Sequence, residues 1–408
     1  MSELMSKRVL ETKIIFYALS FLSMFGMGFV GATYATFLTS YGLDRLAMNT
    51  VNIFFMLALF AGELPTGAIA DVFGRKNSCI LAFVIRATGM VIYGFSHSFW
   101  AFVCAEVVSG IGLTFENGAL QAWAVDRVKH SGGEETLEGI YKRKAQMKLL
   151  GAITGSMSGA AISTHGLVLP WFCGAAVLYL ASILIAIVMR EEYFEKKNYS
   201  FESGIRSFAQ TISGGLRFGM KSSVIQFLFI ANAVFMFAVQ APNMFWQLYF
   251  KPHMQAQVHF GIIHALALAA MFVGASYSTK IAAKIGCERK CILASFVFTG
   301  IWLGVSGLIP FFAISLPAFL LHELGRGLFD PIKDNYLNKN IPSSQRATLD
   351  SLQSTARHVG SVSGLLASGM IATSVSDGMS WVVSGAVLIL GGIVLYTRIY
   401  IRENNGTS

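Results

Sequence analysis

Apolar residues run along the chain in stretches of about 20, and short charged segments interrupt them. Each stretch is long enough to cross a hydrocarbon core of roughly 30 Å as a helix. Twelve spans follow from this pattern: Ile14 to Thr39, Met48 to Ala70, Ser78 to Phe95, Phe99 to Ala124, Ala145 to Thr164, Leu167 to Met189, Val224 to Phe250, Val258 to Ala282, Cys291 to Ile309, Phe311 to Leu337, Leu349 to Ser374 and Ser380 to Tyr400. The first six belong to an N-terminal bundle of residues 1–189 and the last six to a C-terminal bundle of residues 224–408. Residues 190–223 between them carry Glu191, Glu192, Lys196, Lys197 and Arg206 and are broken by Gly214-Gly215, as a cytoplasmic linker would be. The expected fold class is an all-α membrane protein of two pseudo-symmetric six-helix bundles.

Composition strengthens this reading. With 54% hydrophobic and 13% charged residues and a mean hydropathy of +0.58, the chain cannot cover a water-facing surface, so the bilayer is its solvent. The net charge of +9 does not point to nucleic acid, because the basic residues sit in short loops. Arg75 and Lys76, the stretch Arg127 to Lys144, the linker, Arg289 and Lys290, and Lys339 with Arg346 alternate with loops nearly free of Lys and Arg; Arg45 and Lys251 are the exceptions. This asymmetry places both termini in the cytoplasm, as an even number of spans also requires, for a multi-pass protein of the cell (inner) membrane. Lys7, Arg8 and Lys13 precede an apolar run too long for a secretory signal, so it is the first span. Cys79, Cys104, Cys173, Cys287 and Cys291 show no paired extracytoplasmic spacing and are expected as free thiols.

A faint internal repeat relates the halves at an offset of roughly 212 to 215 residues. Ala70-Asp71-Val72-Phe73-Gly74 corresponds to Ala282-Ala283-Lys284-Ile285-Gly286, and Phe115-Glu116 to Phe329-Asp330. The strongest local signal is Gly67-Ala68-Ile69-Ala70-Asp71-Val72-Phe73-Gly74-Arg75-Lys76, in the turn between the second and third spans. Gly67 permits close helix approach, Gly74 a tight reversal, and Asp71 can cap the helix that follows. Arg75 and Lys76 anchor the cytoplasmic side. The alternative is that these residues only punctuate a turn and fix topology. Upstream, Glu63-Leu64-Pro65-Thr66-Gly67 puts a carboxylate and a proline inside the second span, where both are costly.

The Gly67 to Lys76 segment closely resembles the loop signature of the major facilitator superfamily. The Glu-x-Pro-Thr-Gly run resembles that of many bacterial members, and Arg346-Ala347-Thr348 before the eleventh span is similar too. The resemblance implies that Gly67, Asp71, Gly74, Arg75 and Lys76 form a conformational latch, joined by an acid at the cytoplasmic end of the fourth span, which Asp126 matches. It also implies that the first, fourth, seventh and tenth helices line a central cavity, so that Glu116 would face Asp330. Two departures bear on mechanism. Where proton antiporters of the family often carry an Arg in the fourth span, this chain has Glu106-Val107-Val108-Ser109-Gly110, with Arg86 of the third span the candidate replacement. In the fifth span Gly151, Gly155 and Gly159 would allow close crossing, but Ser156 stands where the antiporter motif has proline.

The tenth span gathers Glu323, Arg326, Asp330, Lys333 and Asp334 within roughly a 100° arc. Each ionisable group at the bilayer centre costs on the order of 2.5 to 3.5 kcal/mol, so this stripe must face protein or water. The spacing also suits intrahelical pairs of Glu323 with Arg326, Arg326 with Asp330 and Asp330 with Lys333, which is the structural alternative to a solute site. In the seventh span Gln240, Asn243 and Gln247 share a narrow face suited to hydrogen-bonding a solute. The expected substrate contacts are therefore Glu323, Arg326, Gln240, Asn243 and Gln247. A carboxyl group removed from water can take up a proton on one side and release it on the other. Glu116, Asp330 and Glu63 are the expected proton-coupling acids, with Glu106 also chemically suited.

No metal-ligand spacing joins His97, His165 and His253, and no phosphate loop, nucleophile elbow or heme attachment motif is present. An enzyme is not expected, nor any cofactor, metal or nucleic acid partner. The expectation is a monomeric secondary active transporter working by alternating access in the lipid bilayer, coupling protons to efflux of a small organic molecule, a drug or metabolite. Proton-coupled uptake of an organic solute or anion is the alternative. From another class, a non-transporting sensor or scaffold of the same shape is a third.

Overall fold

A computed structural model describes residues 2–130, 137–191, 222–340 and 346–404, without the side chains of 2–6, 63–72, 117, 129, 137–138, 346–348, 350–351 and 399–404. Among the described residues all regular structure is helical. The helices are α1 (Ser2–Gly31), α2 (Tyr34–Ser40), α3 (Arg45–Phe73), α4 (Arg75–Phe95), α5 (Phe99–His130), α6 (Leu137–Ile162), α7 (Leu169–Val188), α8 (Ser223–Phe250), α9 (Val258–Ile285), α10 (Glu288–Leu308), α11 (Phe312–Asn340), α12 (Arg346–Ser374) and α13 (Asp377–Asn404). Within the bilayer a helix satisfies every backbone group from its own residues, which is why spanning segments take this form.

The first expected span is broken. α1 ends at Gly31, where an added Cβ would lie 2.8 Å from Cε1 of His264. Ala32 and Thr33 turn, with Thr33 N donating to Val30 O at 3.0 Å, before α2 begins at Tyr34. By contrast α3 continues through Pro65 to Phe73. Nine helices among the described residues are long and apolar enough to cross a membrane. The long helices outside that set, α6, α11 and α12, carry polar clusters such as Lys142-Arg143-Lys144, Arg326 with Asp330, and Arg357-His358. Such helices need protein or water on their polar faces.

The chain packs into two compact units. One comprises Met1–Phe37, Phe54–Arg206 and Gln255–Ala265; the other comprises Leu38–Ile53, Ser207–Met254 and Leu266–Ser408. In the first unit α6 crosses α1 closely: Gly151, Gly155 and Gly159 lie against the carbonyl oxygens of Phe21, Phe25 and Phe29, where no side chain would fit. The second unit repeats the device with other residues. There Gly360 and Gly364 of α12 meet the carbonyls of Ala233 and Phe237 of α8. Small residues at four-residue spacing let helix backbones approach where lipid gives no hydrophobic drive to association. The first unit also holds a stack of Tyr93 on Trp171, with centroids 4.0 Å apart, flanked by Phe37 and Phe102. The second holds Phe235 stacked on Phe329 at 4.0 Å.

Candidate functional site

The chemistry of the first unit lies on α4 and α5, antiparallel neighbours joined by a short turn. α5 carries three acids at ten-residue steps, Glu106, Glu116 and Asp126, about 15 Å apart along the axis at 1.5 Å per residue. Each meets a partner from α4. As numbers rise on α4 through Arg75, Arg86 and Tyr93, their partners fall on α5 through Asp126, Glu116 and Glu106. The middle rung is the most enclosed. Arg86 pairs with Glu116, and both are 4% exposed. Arg86 Nη1 donates to Ser23 Oγ at 2.8 Å, and Ser23 donates to both Glu116 oxygens at 2.8 and 3.0 Å. Lys148 Nζ of α6 adds a second cation at 3.8 Å. Burial without such partners would be prohibitive. In the outer rung, the hydroxyls of Tyr34 and Tyr93 each donate to Glu106 Oε1 at 2.6 Å.

The third rung sits at the turn between α3 and α4. Gly74 has φ +88° there, a conformation that side chains resist. The helix that follows opens with Arg75 and Lys76, two cations at the positive end of its dipole. Gly74 occupies the N-cap position and offers no side chain; Asp71, the cap expected from sequence, lies outside the described side chains. Among the described residues a cap comes from Glu191, beyond the end of α7: its carboxylate accepts from Arg75 N at 2.7 Å and Lys76 N at 3.1 Å. A Cβ on Gly74 would lie 2.7 Å from Glu191 Oε2, so glycine is required twice over. Arg190 O accepts from Trp123 Nε1 at 2.9 Å and Arg127 Nη1 at 3.1 Å, which fixes this segment to α5. Arg75 pairs with Asp126, and Lys76 Nζ donates to Ala186 O at 2.7 Å. Of the remaining latch residues, Gly67 and Asp71 lie outside the described side chains, as does Glu63.

In the second unit Arg326 Nη1 donates to Asn243 Oδ1 of α8 at 2.6 Å and lies 3.4 Å from Glu323 Oε1. Its side chain is 24% exposed, and Glu323 is buried. Gln240 does not join this group: its amide donates to Met236 O at 3.1 Å and Ser361 Oγ at 3.0 Å. Gln247 is buried as well. Asp330 and Asp334 side chains are both 60% exposed, and they pair with a nearly buried Lys333 at 2.7 and 3.5 Å. The pairing of Glu116 with Asp330 in the internal repeat therefore does not extend to environment, since the first is enclosed and the second exposed. Of the three spaced pairs on α11, two form, and Arg326 with Asp330 is not among the observed ion pairs of the described residues.

Sequence reasoning missed several participants. Glu191 stood out only as one charge of a linker. Ser23, Tyr93 and Lys148 look like ordinary residues of their spans. His322 of α11 was also overlooked; its ring is fully buried, Nδ1 lies 3.7 Å from Glu323 Oε1, and neither nitrogen has a hydrogen-bond partner among the described residues. Ser156, at the position where proline was sought, shares a hydrogen bond of 2.7 Å with His264 Nδ1. The five cysteines are free thiols. Among the described residues no cluster of His, Cys, Asp and Glu could hold a metal.

Comparison with known proteins covers nearly the whole chain. The sequence profile of the Major Facilitator Superfamily matches residues 16–287 and 228–407. An uncharacterized MFS-type transporter, YxaM of Bacillus subtilis (strain 168), is 23% identical over 96% of this chain and 97% of its own. Multidrug resistance protein 2 of the same organism is 21% identical over 95% and 96%. Among solved structures, the nucleoside transporter NupG superposes with a TM-score of 0.78 at 14% identity, over 95% of this chain and 98% of that one; at this identity the likeness concerns the fold.

Proposed function

This chain belongs to the Major Facilitator Superfamily, a family of membrane transporters rather than enzymes, and from that premise we propose that it couples proton movement to export of a small organic molecule by alternating access. The observation that carries the reading is the enclosure of ionisable side chains on membrane-length helices of both units, Glu106, Glu116 and Arg86 in one and Glu323 and Lys333 in the other. Groups so costly to place in a bilayer mark solute or proton pathways. The multidrug-resistance name of a relative supports export.

Three roles follow. Gly67, Asp71, Gly74, Arg75, Lys76 and Asp126 form the latch on the cytoplasmic side, with Glu191 as the cap that holds its turn. The partly exposed Arg326, oriented by Asn243 and balanced by Glu323, contacts the solute, with Gln240 and Gln247 shaping the same helix face. The proton is carried by an acid among Glu63, Glu106, Glu116 and Asp330, on α3, α5 and α11. The protein acts as a monomer in the cell membrane with both termini in the cytoplasm.

The test is flux in proteoliposomes under an imposed pH gradient, with ethidium as a lipophilic cation, a set of organic anions, and a pH dye inside the vesicles. Export by antiport predicts proton movement opposite to the solute. Movement in the same direction would replace export with uptake, and solute-independent pH traces across the set would remove the transport reading in favour of a sensor.

A further inference from the structure

We infer that Glu106, with the hydroxyls of Tyr34 and Tyr93, forms the proton-binding site of this transporter, an assignment that rests on the proton-coupled reading above. Glu106 is 5% exposed. Both phenol hydroxyls donate to the same oxygen, Oε1, at 2.6 Å, and lie 3.3 Å from each other. Oε2 accepts no hydrogen bond among the described residues, and no Lys, Arg or His of those residues forms an ion pair with Glu106. An ionised carboxylate here is a buried charge with neutral partners only, the costliest way to hold an acid in a membrane protein. A proton on Oε2 removes that charge and leaves Oε1 free to accept from both hydroxyls.

The neighbourhood also limits what the ligand is. Tyr93 stacks on Trp171 at 4.0 Å and 11°, with Phe102 at 5.6 Å and Phe37 at 6.4 Å, and all four rings are nearly inaccessible. Such packing has no room for an organic cation. A metal ion would want more oxygen ligands than one carboxylate and two phenols supply. A proton needs no space.

Glu116 makes the contrast. Arg86 and Lys148 balance its charge and Ser23 donates to both of its oxygens, so it is satisfied as a carboxylate. Among the described residues the titratable groups bonded to Glu106 are Tyr34 from α2 and Tyr93 from α4, and Trp171 of α7 stacks on Tyr93; the charged rung of Arg86 and Glu116 lies about 15 Å further along α5. Tyr34 is the first residue of α2, directly after the break at Ala32 and Thr33.

The experiment is infrared difference spectroscopy of purified protein in lipid nanodiscs, recorded between acidic and alkaline pH. A carboxylic-acid C=O band that titrates in the wild type is expected to vanish in Glu106→Gln and to persist in Glu116→Gln. Tyr93→Phe keeps the acid, removes one donor and is expected to move the band's midpoint, which guards against a Gln variant that fails to fold. A band that persists in Glu106→Gln, or a wild type with no titrating acid band, overturns the site. Wild-type vesicles that exchange solute with no proton movement overturn the coupled reading instead, and that failure shows in the wild type rather than in a variant.

Discussion

The helix pair α4 and α5 of the first unit and the pair α10 and α11 of the second occupy equivalent places in the internal repeat, and they differ in instructive ways. At the exposed end, Arg75 pairs with Asp126 in one and Glu288 with Lys339 in the other. Both positions are displaced by the same 213 residues, yet the charges are exchanged. Attraction between two partners does not depend on which helix carries which sign, so an exposed pair tolerates the swap. The middle rung behaves differently. The place of Arg86 is taken by the buried Thr299, and Asp330, the acid matched to Glu116, is exposed and pairs with Lys333 of its own helix. A buried pair is kept whole or lost whole, because one partner left behind is an uncompensated charge. Among the described residues the two pairs thus share a helix scaffold, while the buried ion pair between the paired helices stands in the first unit.

The sharpest break of this comparison is at the middle rung. Arg86→Ala leaves Glu116 enclosed with Lys148 as its remaining ion-pair partner among the described residues and is expected to cost about 3–5 kcal/mol, read as a lowered melting temperature in detergent. Thr299→Val, the matching change in the second unit, removes a buried hydroxyl without a hydrogen-bond partner among the described residues. It is expected to be neutral or stabilising by up to about 1 kcal/mol. Equal losses at the two positions would mean that the rungs are not distinct.

Next in size are the glycines before each pair. Gly74 and Gly286 both have positive φ, +88° and +72°, so alanine at either should cost about 1–2 kcal/mol. Gly74→Ala should cost about 1 kcal/mol more, because the new Cβ displaces the Glu191 carboxylate that caps α4; nothing lies within 4 Å of the Cβ position at Gly286. Adding Glu191→Ala should abolish that surplus in denaturation measurements. The smallest effect belongs to the exposed pair. Arg75→Glu should change stability by no more than about 1 kcal/mol but slow transport, and adding Asp126→Lys, which copies the arrangement of Glu288 and Lys339, should restore the rate. A double variant as slow as the single one would show that the sign of the charge at position 75 matters beyond its pairing.

Much of this protein is legible without coordinates. The spans of α3 to α13, the close crossing through Gly151, Gly155 and Gly159, and the turn at Gly74 follow from patterns local to each segment. The break after Gly31 was hidden because Ala32 and Thr33 are ordinary in a helix, and its neighbour His264 lies over 230 residues away in sequence. For the same reason the capping role of Glu191 was hidden, since that carboxylate is 116 residues from Arg75.

The sequence by itself determined the membrane environment, the order of helices and the family, because a helix in a bilayer satisfies its own backbone and a span of given length answers to one dimension, the thickness of the hydrocarbon core. Only the tertiary structure decided which acid meets a cation and which meets two tyrosines. Glu106, Glu116 and Asp126 share one helix and one spacing, and their different fates depend on how α1, α2, α4 and α6 are rotated against it, a choice made by packing between segments rather than within any one of them.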